Sequence, residues 1–276
     1  MTKRNPNHVS NELNSLFINY RRSIINTWRD YNYLDYSTEE LKRTCEKDPK
    51  SVNLTIGNLY NKGTKTFYSK DIWGMTERIL KNSIPSRTLI QAVSQTEHFL
   101  QDLTKIVYKE FPEKITSRDS VEQIGQQVKL MSTIMGSDSK EEMIDKLIEE
   151  KIRGIFYGKP TDFFEKDKTK IGLGSVFKED YSNALSQYLE ITGRRNIWIH
   201  NSGKVDRKYK RENPSSTGNL GSKLNIDRVY LKESIILLKD ISGMTTKLVM
   251  TNNFGATKFH KFLNSSVNQF EKKFKN

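Results

Sequence analysis

Arg195, Asn196 and His200 stand within six residues of one another, in the segment Arg194-Arg195-Asn196-Ile197-Trp198-Ile199-His200-Asn201-Ser202-Gly203. A guanidinium holds phosphate through a planar fork of donors, and an imidazole moves protons near neutral pH. The combination points to phosphodiester chemistry without a metal. Arg195 would bind the scissile phosphate and offset charge building in the transition state. His200 would serve as general base on a ribose 2′-OH, or give a proton to the leaving oxygen. Asn196 would orient the imidazole or the phosphate. With the 2′-OH as nucleophile, the product carries a 2′,3′-cyclic phosphate and no cofactor is expected.

A helix must position these groups. Asp180 is its expected cap, Tyr181, Ala184, Leu185, Tyr188, Leu189 and Ile191 its apolar positions, and Gly203 the residue just past its end. The helix C-terminus would favour the imidazolium form of His200. Asn196 and His200, four apart, share a face. Arg195 and His200, five apart, are roughly 140° apart at about 100° per residue. One helix therefore does not aim both at one point unaided. Three routes bring them together: the length of Arg195, fraying of the helix at His200, or a second copy of the chain that completes the cleft. The last predicts a symmetric homodimer. Against all three stands the reading that Arg195 and His200 simply close a helix end. Trp198 and the two isoleucines beside it read as core.

Directly after His200 the run from Lys204 to Arg211 carries five cations: Lys204, Arg207, Lys208, Lys210 and Arg211. As a basic loop it would contact phosphates flanking the site, joined by Arg194 and Asn201. Tyr209 would stack on a base. An ordinary solvated loop is the alternative.

The whole chain supports an anionic partner. Its 276 residues carry a formal net charge of +13, which attracts phosphate backbones or anionic membranes. No run approaches the roughly 20 apolar residues of a membrane span. The polar start Met1-Thr2-Lys3-Arg4-Asn5-Pro6-Asn7 lacks the apolar stretch of a signal peptide. The single cysteine, Cys45, forms no internal disulfide and reads as a reduced thiol. A cytoplasmic protein without membrane contact is expected. His8, His98 and His260 show no metal-ligand spacing. Gly154 to Pro160 fails as a P-loop, with three residues between glycines and Pro160 where a hydroxyl should hold magnesium.

The hydrophobic pattern is mostly helical. Leu13, Leu16, Phe17, Tyr20, Ile24, Trp28 and Tyr31 make one stripe. Ser37 with Glu40 resembles a capping box that opens a new short helix. Thr64–Tyr68 reads as a short strand, and Ile72 to Leu80 as helix. Further helices are expected from Ser86 to Phe111, over Val121, Ile124, Val128, Met131 and Met135, and from Ser139 through Ile152. Gly158 to Val176 reads as loop. Asp227 opens a long helix through Ile241, and a last one spans Ala256 to Phe274. A boundary near Pro85 would divide an N-terminal helical accessory region, 1–84, from a helical bundle, 85–276.

The segment from Arg195 to Tyr209 resembles the signature of HEPN domains: Arg, four to six residues, then His, with Asn directly after Arg. Its trailing His200-Asn201-Ser202-Gly203-Lys204-Val205-Asp206 and Tyr209 are similar to a bacterial branch related to the RiboL-PSP-HEPN group. Thr96 to Leu103 is similar to the first long helix of that branch. The resemblance spans about Pro85 to Met250. It implies an all-α, HEPN-like up-and-down bundle that dimerises, with the Arg and His motifs of both copies building one cleft. It also implies a metal-independent endoribonuclease of toxin–antitoxin or antiphage (abortive-infection) systems. Its substrate would be single-stranded or loop RNA, tRNA included, and an antitoxin or other regulatory protein would restrain it. The family also holds silent members that bind RNA or nucleotide and assemble complexes. A basic helical scaffold for another protein is a third reading.

Overall fold

The computed structural model describes residues 5–60, 62–115, 139–156, 158–165, 167 and 169–275. The expected helix over Val121 to Met135 lies outside them. Among the described residues the fold is all-α apart from one two-stranded hairpin. Its elements are α1 (Pro6–Lys47), β1 (Asn53–Gly57), β2 (Thr64–Tyr68), α2 (Ser69–Arg78), a π-helical turn (Ile79–Ser83), α3 (Ile84–Glu110), α4 (Lys140–Phe156), α5 (Asp162–Glu165), α6 (Val176–Asp180), α7 (Ser182–Asn201), α8 (Arg207–Glu212), α9 (Arg228–Phe254) and α10 (Lys261–Phe274). No helix among the described residues is long and apolar enough to cross a membrane.

The chain forms two compact units, and neither is continuous in sequence. The first takes the described residues of 1–22, 94–192 and 236–276; the second takes 23–93 and 193–235. The expected division at residue 85 is thus replaced. The reason lies in α1. Asn5 caps it, its side-chain oxygen accepting from the Asn7 N–H at 2.9 Å, and Pro6 takes the first helical position, where no N–H is required. Val9, Leu13, Phe17 and Tyr20 then point to one side and are buried in the first unit. Tyr20 stacks on Phe99 of α3 at 4.5 Å. Its hydroxyl shares a 2.8 Å hydrogen bond with Thr96 and donates to the Leu238 carbonyl of α9 at 3.0 Å. The start of the chain is core to the bundle and no accessory.

Aromatic rings fill the rest of this unit. Phe164 meets Phe177 and Tyr188 edge-on, and Phe177 in turn meets Phe270. Gly243 lets α9 approach α10 closely, since a Cβ there would lie 2.9 Å from Cβ of Ser266. The expected loop from Gly158 to Val176 is more ordered than its composition suggests. It contains α5, and the Asp167 carboxylate accepts N–H bonds from Ile171, Gly172, Leu173 and Gly174 at 3.0–3.3 Å. Asn252 and Asn253 of α9 donate to the carbonyls of Gly172 and Ile171.

In the second unit the strand at Thr64–Tyr68 is present and pairs antiparallel with β1, Leu54 facing Phe67 and Ile56 facing Lys65. Helix α2 follows and is tied to α1 by a Lys42–Glu77 ion pair and by the Trp73 indole, which donates to Glu46 at 2.9 Å. The expected cap at Ser37 is absent: α1 runs unbroken to Lys47, because no Gly or Pro interrupts it before that point.

Candidate functional site

Arg195, Asn196 and His200 all lie on α7, which stays helical through Asn201. It begins at Ser182; Asp180, the expected cap, instead ends the short α6. After Asn201 the chain reverses through Ser202 and Gly203, with φ of +51° and +81°. The Gly203 N–H donates to the Ile197 carbonyl at 3.0 Å. Left-handed backbone of this kind suits glycine, because a Cβ crowds the following carbonyl.

Because the helix is regular at His200, fraying does not bring it toward Arg195. Asn196 and His200 stay within about 40° of each other, one turn apart, while Arg195 lies roughly 140° from His200. Ile199 falls between them and is 45 % exposed. It therefore departs from the expected core placement, whereas Ile197 is buried as expected. Trp198 packs on that small core, beside Ile197, Val205, Tyr209 and Leu224. His200 is exposed; Arg195 and Asn196 are half-buried.

The segment from Lys204 to Arg211 is not the open loop expected from its charge. Asp206 caps α8 by accepting the Tyr209 N–H at 2.7 Å. Tyr209 is only 2 % exposed, and its hydroxyl accepts from Ser216. It anchors α8 inward and presents no face to a base. The same geometry sorts the cations. On α8, Arg207, Lys208 and Arg211 fall within an arc of about 100° on the side opposite Tyr209, and all three are exposed, as is Lys204. Lys210 is half-buried and donates to the Ser216 carbonyl. The helix thus turns five cations of undefined direction into a defined outward triad plus Lys204.

Arg194 and Asn201, both expected to touch RNA, bind the protein itself. The Arg194 guanidinium lies 3.8 Å above the Tyr230 ring and donates to the Asn225 carbonyl at 2.9 Å. The Asn201 amide donates to the Lys204 carbonyl at 2.7 Å. Both hold the 203–226 excursion against α7. That excursion is further fixed by a backbone bridge between Lys204 and Lys223 and by the Leu224 N–H donating to the Gly203 carbonyl at 3.0 Å.

Two positioning residues escaped the sequence reading. Gly193 allows α8 to lie on α7: a Cβ there would sit 3.0 Å from Nδ2 of Asn213 and 3.1 Å from the Tyr209 ring. Asn213, buried, donates back to the Tyr209 carbonyl at 3.2 Å. A glycine inside an otherwise helical run was the available signal, since it costs about 1 kcal/mol against alanine and demands a packing reason.

Among the described residues no three His, Cys, Asp or Glu side chains group as metal ligands. Compared with known proteins, the chain matches no family model, no curated protein and no solved structure.

Proposed function

We propose that this protein is a metal-independent endoribonuclease of the HEPN kind. The observation that carries the reading is an exposed His200 one turn beyond Asn196 on an unbroken helix, preceded by Arg195, in the same compact unit as the outward cations of α8. Arg207, Lys208 and Arg211 hold flanking phosphates. Arg195 binds the scissile phosphate. The ribose 2′-oxygen forms a bond to phosphorus as the bond to the 5′-oxygen breaks. One proton leaves the 2′-OH and one reaches the departing 5′-oxygen, with His200 serving one of these transfers. The ends left are a 2′,3′-cyclic phosphate and a 5′-OH.

The angle between Arg195 and His200 favours a site shared between two copies, in which the Arg195 of one helix faces the His200 of the other. On this reading the enzyme is a homodimer acting in the cytoplasm on single-stranded or loop RNA, tRNA among the candidates. Its setting is toxin or antiphage defence, where an antitoxin or regulatory protein restrains it.

One observation favours a second reading, a silent module that binds RNA or nucleotide and assembles a complex. Arg194 and Asn201 are spent on holding the fold, and the half-buried Arg195 fits a helix-closing role as well as a phosphate. Cleavage of total RNA and of a tRNA pool in EDTA, parent against His200→Ala, separates the two. Cyclic-phosphate ends from the parent alone support the nuclease; equal cleavage by both proteins removes it.

A further inference from the structure

The hairpin β1–β2 stands out in the second unit. Every residue of β1 is exposed, and so is every residue of β2 except Phe67. Ten of the thirteen large apolar side chains exposed among the described residues lie between Tyr33 and Trp73. On the hairpin they crowd the tip and the exit: Leu59 is 86 %, Tyr60 91 % and Tyr68 65 % exposed. A two-stranded hairpin with no buried face gains little from its own packing, and large exposed apolar groups mark interaction surfaces.

Charge decides the occupant. From Lys50 to Lys70 there are four lysines, Lys50, Lys62, Lys65 and Lys70, and no Asp or Glu. All four are exposed. Tyr60 precedes Lys62 at the tip; along the strands Tyr68 shares one face with Thr55 and Thr66, and Lys65, 5.0 Å from the centre of the Phe67 ring, lies on the other with Leu54 and Ile56. Thr55 and Thr66 link the strands through their hydroxyls at 2.8 Å, so the face that carries Tyr68 is polar. The tip is held in place, the Asn58 N–H donating to the Gly63 carbonyl at 2.8 Å and the Tyr60 N–H to the Asn58 side chain at 3.0 Å. Aromatic faces spaced by cations on a polar strand pair are the features that bind single-stranded nucleic acid, because every base has a face to stack and every nucleotide a phosphate to neutralise.

From this juxtaposition we infer that the β1–β2 hairpin is a binding platform for single-stranded RNA, with Tyr60 and Tyr68 stacking on bases and Lys62 on the phosphate between them. The choice of RNA over DNA rests on the function proposed above. The platform belongs to the same compact unit as α7's final turns. Within that unit Lys223 ties α7 to the turn after α2, which follows the hairpin: it donates to Asn82 at 2.6 Å and lies 4.9 Å from the Trp198 ring. RNA held on the hairpin would be held by the unit that carries His200.

The test is fluorescence anisotropy with the full chain and a labelled single-stranded RNA of about 12 nucleotides, 2′-O-methylated so that it cannot be cut. Tyr60→Ala with Tyr68→Ala should weaken binding by about tenfold or more and leave the salt dependence unchanged, since stacking is uncharged. Lys62→Gln should lower the slope of log affinity against log salt by roughly 0.7, the value for one phosphate on a single strand. All three side chains are exposed, and unchanged thermal midpoints confirm folding. The inference is overturned if the parent does not bind, if both variants bind within about twofold of the parent, or if the variants lose sedimentation with phosphatidylserine vesicles while keeping RNA. Binding of this RNA, with no cleavage of unmodified RNA by the parent in EDTA, overturns the nuclease and leaves the platform. Cleavage whose KM ignores the hairpin variants overturns the platform and leaves the nuclease.

Discussion

The indole of Trp198 lies directly over the α-carbon of Gly203, so that a methyl group at residue 203 would sit 2.7 Å from Cε2 of the ring. The ring is held by its N–H, on the nitrogen bonded to that same Cε2, which donates to the Leu224 carbonyl at 3.2 Å. Gly203→Ala therefore meets two obstacles, the ring and a φ of +81°. We expect a loss of about 1–3 kcal/mol, read as a lower urea midpoint and altered tryptophan fluorescence. An unchanged midpoint would show that the turn tolerates a side chain and that Trp198 does not fix it.

The cations of α8 should separate binding from chemistry. Replacing Arg207, Lys208 and Arg211 with Gln should raise KM for RNA while kcat stays near the parent value. His200→Ala should lower kcat by about 10²–10⁴-fold, the usual contribution of a general acid or base. Because His200 is exposed, its loss should leave the thermal midpoint unchanged. Steady-state and single-turnover cleavage assays check both. An unaffected KM in the triple variant would assign those cations to solvent.

Asp240 gives the first unit a pH dependence. It is 2 % exposed on α9, with Lys239 at 2.6 Å beside it and Lys273, Ser266 and Tyr20 facing it from α10 and α1. Burial raises its pKa above the ordinary carboxylate range, and Lys239 only partly opposes this. The folded state thus holds the proton more tightly than the unfolded state. Stability from this group is fully present below the unfolded carboxylate pKa and falls as pH rises through the folded one. Asp240→Asn should flatten the midpoint-against-pH curve above about pH 4. Lys239 keeps a partner in the variant, since it also donates to Gln269 at 3.0 Å. A curve that keeps its slope would assign the dependence elsewhere.

Tyr108 on α3 is fully buried, and its hydroxyl has no hydrogen-bond partner among the described residues. A buried hydroxyl in that position costs roughly 1–3 kcal/mol. Tyr108→Phe keeps the ring and removes the cost, so it should be neutral or raise the thermal midpoint. A clear fall in calorimetry would mean that the hydroxyl is bonded in solution.

Where a helix begins with a residue that satisfies its first N–H groups, the sequence is readable. Ser139 accepts the Glu142 N–H at 3.1 Å and Asp227 the Tyr230 N–H at 2.8 Å, both at the expected caps. Ser37 carries the same kind of signal and caps nothing, because the N–H groups after it are already bonded within α1. Pro85 suggested a boundary for a sound reason, its missing N–H and its clash with the preceding turn. The π-helical turn Ile79–Ser83 removes the conflict: the Ile84 N–H reaches back to Ile79, and the widened turn lets the chain pass from α2 into α3. At the site, the order of Arg195, Asn196 and His200 is local and legible. Gly193 against Tyr209, and Arg194 against Tyr230, are contacts between residues 16 and 36 positions apart, and no periodicity reports them.

Both compact units draw on late parts of the chain. The first needs residues 236–276 beside residues 1–22, and the second needs 193–235 beside 23–93. On the ribosome, at roughly 5–20 residues per second, the nascent chain spends tens of seconds with neither core complete. A chain that ends before α9 lacks residues that both units need, so such a fragment completes neither core.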